Sequence, residues 1–159
     1  MRFTFLLLAA VALSAVEPAA GITINQPWAR ATAPSAVNGA IFAAITNAGA
    51  TADELTAASV ASTIADHVEL HAHTKDAQGV LHMAPVSSVS IPAGGKAELK
   101  PGSFHIMLFG LTHPLIEGQE IPVTLIFSHA GRIDTKATIG GIAATESPNV
   151  LDCCAPEKK

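Results

Sequence analysis

The chain has 159 residues, 49% of them hydrophobic and 14% charged, with a formal net charge of −4. That length suits one domain that buries its own core without a disulfide framework. The acidic balance and the lack of any Lys/Arg run argue against a nucleic-acid partner, whose phosphates demand clustered cations.

The first twenty residues read MRFTFLLLAAVALSAVEPAA. Arg2 supplies a small positive region, and Phe3 to Leu13 form an apolar run too short to span a bilayer comfortably. Small residues follow, with Ala15 and Ala20 as possible cleavage points. The expectation is a secretory signal peptide over 1–20, with an uncleaved anchor as its alternative. Its removal takes one charge of each sign, Arg2 and Glu17, so the net charge stays at −4. No Cys lies near the cleavage region, so a lipid-modified N-terminus is not expected. No later segment resembles a membrane span, and the mature protein is expected to be exported and soluble.

From residue 22 onward the pattern is one of strands. GAIFAAIT (39–46) is an apolar run closed by the turn-forming NAG. HVELHAH (67–73) alternates, with Val68, Leu70 and Ala72 on one face and His67, Glu69, His71 and His73 on the other. VLHMAPV (80–86) follows a polar turn, and KAELK (96–100) lies between PAGG and KPGS. SFHIMLFG (103–110) puts Phe104, Ile106 and Leu108 on one face and His105 with Met107 on the other. IPVTLIFS (121–128) and RIDTKATI (132–139) read as a hairpin with Ile121, Val123, Leu125, Phe127, Ile133, Ala137 and Ile139 inward. Short strands between Gly/Pro turns predict an all-β antiparallel sandwich or barrel over 21–144. From Thr145 the polar sequence TESPNVLDCCAPEKK reads as a loose tail.

Beyond the initiator the only methionines are Met83 and Met107, and each stands beside a histidine, as His82–Met83 and His105-x-Met107. Eleven residues separate His71 from Met83, and twenty-one separate Met83 from His105. Three strands can bring His71, Met83, His105 and Met107 to one end of a sandwich. Two imidazoles with two thioethers form a soft donor set that favours Cu(I) over zinc, magnesium or calcium. Thioethers also suit an oxidising compartment, because methionine cannot form a disulfide. Each residue has a plainer reading: Met107 as core filler, His71 as a solvated strand residue, His105 as a structural hydrogen-bonding group. Those readings leave the coincidence of both methionines with two histidines unexplained.

The spacing resembles that of the PCu(A)C family of periplasmic copper chaperones, and all four residues match its pattern without a gap. QPWARATAP, ITNAGATADEL, VELH, IPAGGKAELKPGSFHIMLFGL and PLIEGQEIPVTLIF agree as well, so the likeness covers about residues 25–140. The resemblance implies a cupredoxin-like Greek-key β-barrel that holds Cu(I) at an exposed site. It also implies a copper-accepting partner, either a cytochrome c oxidase subunit whose CuA centre is being assembled or another copper chaperone. Two departures stand out. Ala72 occupies a position where family members often carry Met, and the tail has Cys153 and Cys154 in place of a His- and Met-rich stretch.

Other functions fit less well. A blue-copper electron carrier needs a Cys in a His₂Cys site, and both cysteines here fall after the last strand with no His or Met beyond them. No GxSxG, HExxH or CxxC occurs, so no hydrolase or redox motif is present and no enzyme is expected. Copper scavenging or storage, or a metal-free extracellular sandwich domain, are the remaining alternatives. The other histidines, His67, His73, His82, His113 and His129, read as solvated surface residues, with an auxiliary-ligand role for His73 and His82 as the alternative. Adjacent Cα atoms lie about 3.8 Å apart, so a bond between Cys153 and Cys154 would be strained. Pairing between molecules, a metal-binding dithiol or no role all stay open.

Overall fold

Apolar alternation becomes ten strands in the computed structural model, which describes residues 21–148. The expected signal peptide and the Cys153–Cys154 part of the tail lie outside the described residues. The strands are β1 (Ile22–Arg30), β2 (Asn38–Asn47), β3 (Asp53–Ser59), β4 (Ala65–Lys75) and β5 (Leu81–Pro85). The remainder are β6 (Val89–Ile91), β7 (Lys96–Leu99), β8 (His105–Leu111), β9 (Glu120–Phe127) and β10 (Gly131–Gly140). No α-helix is present among the described residues. The all-β architecture is the expected one.

The strands follow the order β5-β4-β8-β2-β1-β10-β9-β3-β6. The first half of β2 pairs with β8 and its second half with β7, while β1 runs along its other edge. All pairings between strands are antiparallel except β1 with β10. The sheet folds over so that β3 lies against β4 and β6 against β7. Ile41, Ile45, Leu55, Ile106, Leu108, Leu125 and Ile139 fill the enclosed space and are at most 1% exposed. Each such burial contributes roughly 1.5–3 kcal/mol before conformational entropy is charged against it.

Two buried polar side chains fasten the loops. Asn47 donates to the carbonyls of Thr51 and Ile91 and accepts from the Gly49 amide. Asp53 accepts the amides of Glu54, His129 and Ala130, tying the start of β3 to the β9–β10 turn. Burial works to raise the Asp53 pKa, but the amides of Ala130 and His129, with that of Glu54, outweigh it, and the net shift is downward.

One irregularity in β1 decides what faces the candidate site. The register against β2 slips between Asn25 and Trp28, and Gln26 there takes a φ of +46°. Pro27 cannot donate to the ladder, which is where a sheet tolerates such a bulge. The bulge reverses the inward alternation. Ile22 and Ile24 pack on the core before it, whereas Ala29 does so after it. Trp28 and Arg30 therefore turn to the opposite face, where Trp28 pairs with Phe42 of β2 at a ring separation of 4.7 Å. Both rings are buried there, outside the main core. Residues 145–148, polar by composition, lie against the barrel: Ser147 is buried and Pro148 packs beside Gly140.

Candidate metal centre

Strand pairing sets the site. Within β4 and β8 the outward residues meet in rows: His71 opposite His105, Glu69 opposite Met107, His67 opposite Phe109. The alternate residues Leu70, Ile106 and Leu108 enter the core, so the period of two fixes which side chains face outward. The β4–β5 hairpin then folds Met83 opposite His73. Met107 faces Ala40 of β2 on its other flank. The three strands thus bring the four predicted residues to one region of the same face.

The four do not occupy equivalent positions. Met83 Sδ lies 3.2 Å from His105 Nε2. Both residues, together with Met107, His73 and Phe42, line an open cleft of about 310 Å³, with Arg30 on its wall. His71 stands beside this cleft, its ring centroid 5.9 Å from that of His105. Met83 is 49% exposed, while His71 and His105 are 7% and 4% exposed. The plainer reading of Met107 as core filler fails, because it is half-buried on the outward face and outside the core cluster.

Hydrogen bonding fixes which ring nitrogens are free. His105 Nδ1 lies 3.0 Å from the Ser103 carbonyl, which can only accept, so Nδ1 carries the proton and Nε2 keeps its lone pair. That lone pair faces the thioether sulfur of Met83, another acceptor. Two acceptors in contact do not bond to each other; a soft cation between them would satisfy both. His71 is set the other way. Its Nε2 lies 2.8 Å from Glu69 Oε2, and its Nδ1 is buried without a partner. Leaving a buried ring nitrogen unsatisfied costs about 1–3 kcal/mol, which a bound ion would recover.

Electrostatics act in the same direction at His105. Burial pushes its pKa below the ordinary value; the Ser103 carbonyl works against this, while His73 and His71 add to it. A neutral imidazole near pH 7 is the form that ligates a metal. Among the described residues no three His, Cys, Asp or Glu side chains are grouped to hold a metal by themselves, and the further soft donors that line this cleft are the thioethers of Met83 and Met107.

The remaining histidines divide. His67 stacks on Phe109 at 4.7 Å, His82 pairs with Asp76 at 2.7 Å, and His129 lies beside Asp53. All three are turned to other partners. His73 differs from them: it lines the cleft, its ring is 5.1 Å from that of His105, and its Nδ1 approaches the same Ser103 carbonyl. Sequence reading set His73 among the solvated residues, although its place two residues after His71 put it on the site's face. Phe42, 6.3 Å from His105, and Arg30, 5.8 Å above the Phe42 ring, have no signal in spacing, because the bulge and β2 bring them in.

A strand-built cleft lined by imidazole and thioether on a cupredoxin-like barrel defines a PCuAC-type domain. A family model described as "Putative lipoprotein LpqE-like" matches residues 22–139, and the chain belongs to that LpqE-like family. It is 35% identical over 113 residues to "Putative lipoprotein Lxx21020" of Leifsonia xyli subsp. xyli, a match covering 70% of this chain and 65% of that protein. The chain thus spans less than two thirds of that relative's length. Among solved structures it is similar to the apo PCuAC domain of PmoF1, with TM-score 0.64 and 29% identity over 76% of this chain and 94% of that one. It is also similar to the solution structure of CuI-DR1885 from Deinococcus radiodurans, with TM-score 0.56 and 26% identity over 74% of this chain and 78% of that one.

Proposed function

We infer that the protein is an exported copper chaperone that carries Cu(I) on His71, Met83, His105 and Met107. The observation that carries this reading is the 3.2 Å approach of His105 Nε2 to Met83 Sδ, two acceptors with no proton between them, in a cleft that Met107 also lines. Likeness to a protein whose Cu(I) form has been solved supports it, as does the soft donor set. All four donors are neutral when they bind, so the site neutralises none of the ion's charge and release requires no rearranged carboxylate or thiolate. Exposure of Met83 gives a recipient's donor atom a route to the metal. Such a site suits carriage better than catalysis.

Family membership supports export, with residues 1–20 as the signal and the barrel beginning at 21. No helix among the described residues is long and apolar enough to cross a membrane. The recipient under this reading is a cytochrome c oxidase subunit during CuA assembly, which rests on the match of the His71, Met83, His105, Met107 spacing to the PCu(A)C pattern.

Mixing the Cu(I)-loaded protein with a soluble, metal-free CuA domain tests delivery. Transfer of copper at a rate above that of free Cu(I) supplied by a small chelator supports it. Retention of the metal through many hours of contact would leave storage or scavenging as the function.

A further inference from the structure

We propose that Glu69 is a positioning residue that fixes His71 to present Nδ1, while the Ser103 carbonyl fixes His105 to present Nε2, so that the two imidazoles offer opposite ring nitrogens to one ion. The inference deepens the copper-carrier reading and rests on it for its function, though the tautomers themselves exist without metal.

Three observations carry it. His71 Nε2 lies 2.8 Å from Glu69 Oε2, and a carboxylate can only accept, so the ring proton resides on Nε2. Nδ1 of His71 is then the lone-pair nitrogen, and it is the one side-chain atom among the described residues that is buried without a hydrogen-bond partner. Glu69 is itself placed by the sheet, on the same strand face as His71 and directly opposite Met107, one register row from the His71–His105 pair.

Glu69 has a second neighbour. Its other carboxylate oxygen lies 3.8 Å from His67 Nε2, and His67 is stacked on Phe109. At 3.8 Å between exposed groups that approach is no hydrogen bond, so the contact that holds the carboxylate is the one to His71. A carboxylate that accepts the far N–H of a ligating histidine raises the basicity of the near nitrogen and limits rotation of the ring. The arrangement differs at His105, where a backbone carbonyl does the same work and cannot be exchanged by substitution.

The test uses two variants of the full chain, Glu69→Gln and Glu69→Ala. Long-range proton–nitrogen NMR of the metal-free protein, recorded where the imidazoles are neutral, reads the His71 tautomer directly. The wild type is expected to show the Nε2–H form. Glu69→Gln carries an NH2 that can donate to Nε2 and so admits the Nδ1–H form, and Glu69→Ala, with no partner for Nε2, gives a mixture of the two. In chelator-competed titration Cu(I) affinity falls about tenfold or more in both variants. Detection of the Nδ1–H form in the wild type overturns the proposal, as does an Ala variant with unchanged tautomer. A tautomer that shifts as expected while Cu(I) affinity stays level removes the positioning role. The tautomer is read without copper, so failure of the copper reading itself would show separately, as a wild type that binds no Cu(I).

Discussion

His105 Nε2 and Met83 Sδ face one another at 3.2 Å across the β4–β5 hairpin and β8, with the imidazole proton held on the far side by Ser103. The contact joins residues twenty-two positions apart. It exists because β8 pairs with β4, and β4 pairs in turn with β5.

The pH dependence of binding follows from the His105 shift. Burial holds its pKa below the ordinary 6.5, with Ser103 opposing and His73 and His71 reinforcing. Protons therefore compete with copper at His105 only below about pH 6.5, and Cu(I) affinity is expected to be flat from pH 7 to 9. On the acid side His105 contributes one proton released per metal bound. The metal-free fold follows the same sign: the unfolded chain takes up this proton at higher pH than the native one. Stability from His105 is thus full above the unfolded pKa and is lost as pH falls through the lowered native value. Affinity that instead climbed between pH 7 and 9 would point to thiolates, and a chain truncated after Pro148 would then lose the metal.

How far the site could be read beforehand depends on periodicity. Alternation in HVELHAH and SFHIMLFG gave the outward faces of β4 and β8, since one slip of register would have put His71 and His105 in the core. β3 and β6 were not legible. DELTAAS is rich in Ala and Ser, which carry little strand preference, and it is a strand because β9 and β6 pair with it. VSI is three residues long, too short for a period to show. His73 was visible as a face-mate of His71, but its approach to His105 depends on where Ser103 turns the chain.

His73 should contribute as a minor partner of the site. Its ring is 5.1 Å from His105, and it stands opposite Met83. Replacement with Leu is expected to cost about 1 kcal/mol of Cu(I) binding, roughly fivefold in affinity, well below the loss from His105→Leu. Equal losses in the two variants would make His73 a full ligand. Chelator competition on both distinguishes these cases.

Trp28 offers an optical report. It is the sole tryptophan, and its ring lies 4.7 Å from Phe42, which lies 6.3 Å from His105. Filling the cleft should change Trp28 emission in step with copper added, saturating at one equivalent. Phe42→Leu should weaken that response, while a distant change such as Ile126→Val should leave it intact. An emission unaffected by bound copper would separate the metal from this cleft.

The central claim is the donor set, and X-ray absorption on the Cu(I)-loaded protein tests it most directly. Mixed nitrogen and sulfur scattering is expected, with the sulfur contribution abolished and affinity greatly reduced in Met83→Leu plus Met107→Leu. A shell of nitrogen and oxygen alone, or a sulfur shell that persists in the double variant, would contradict the assignment.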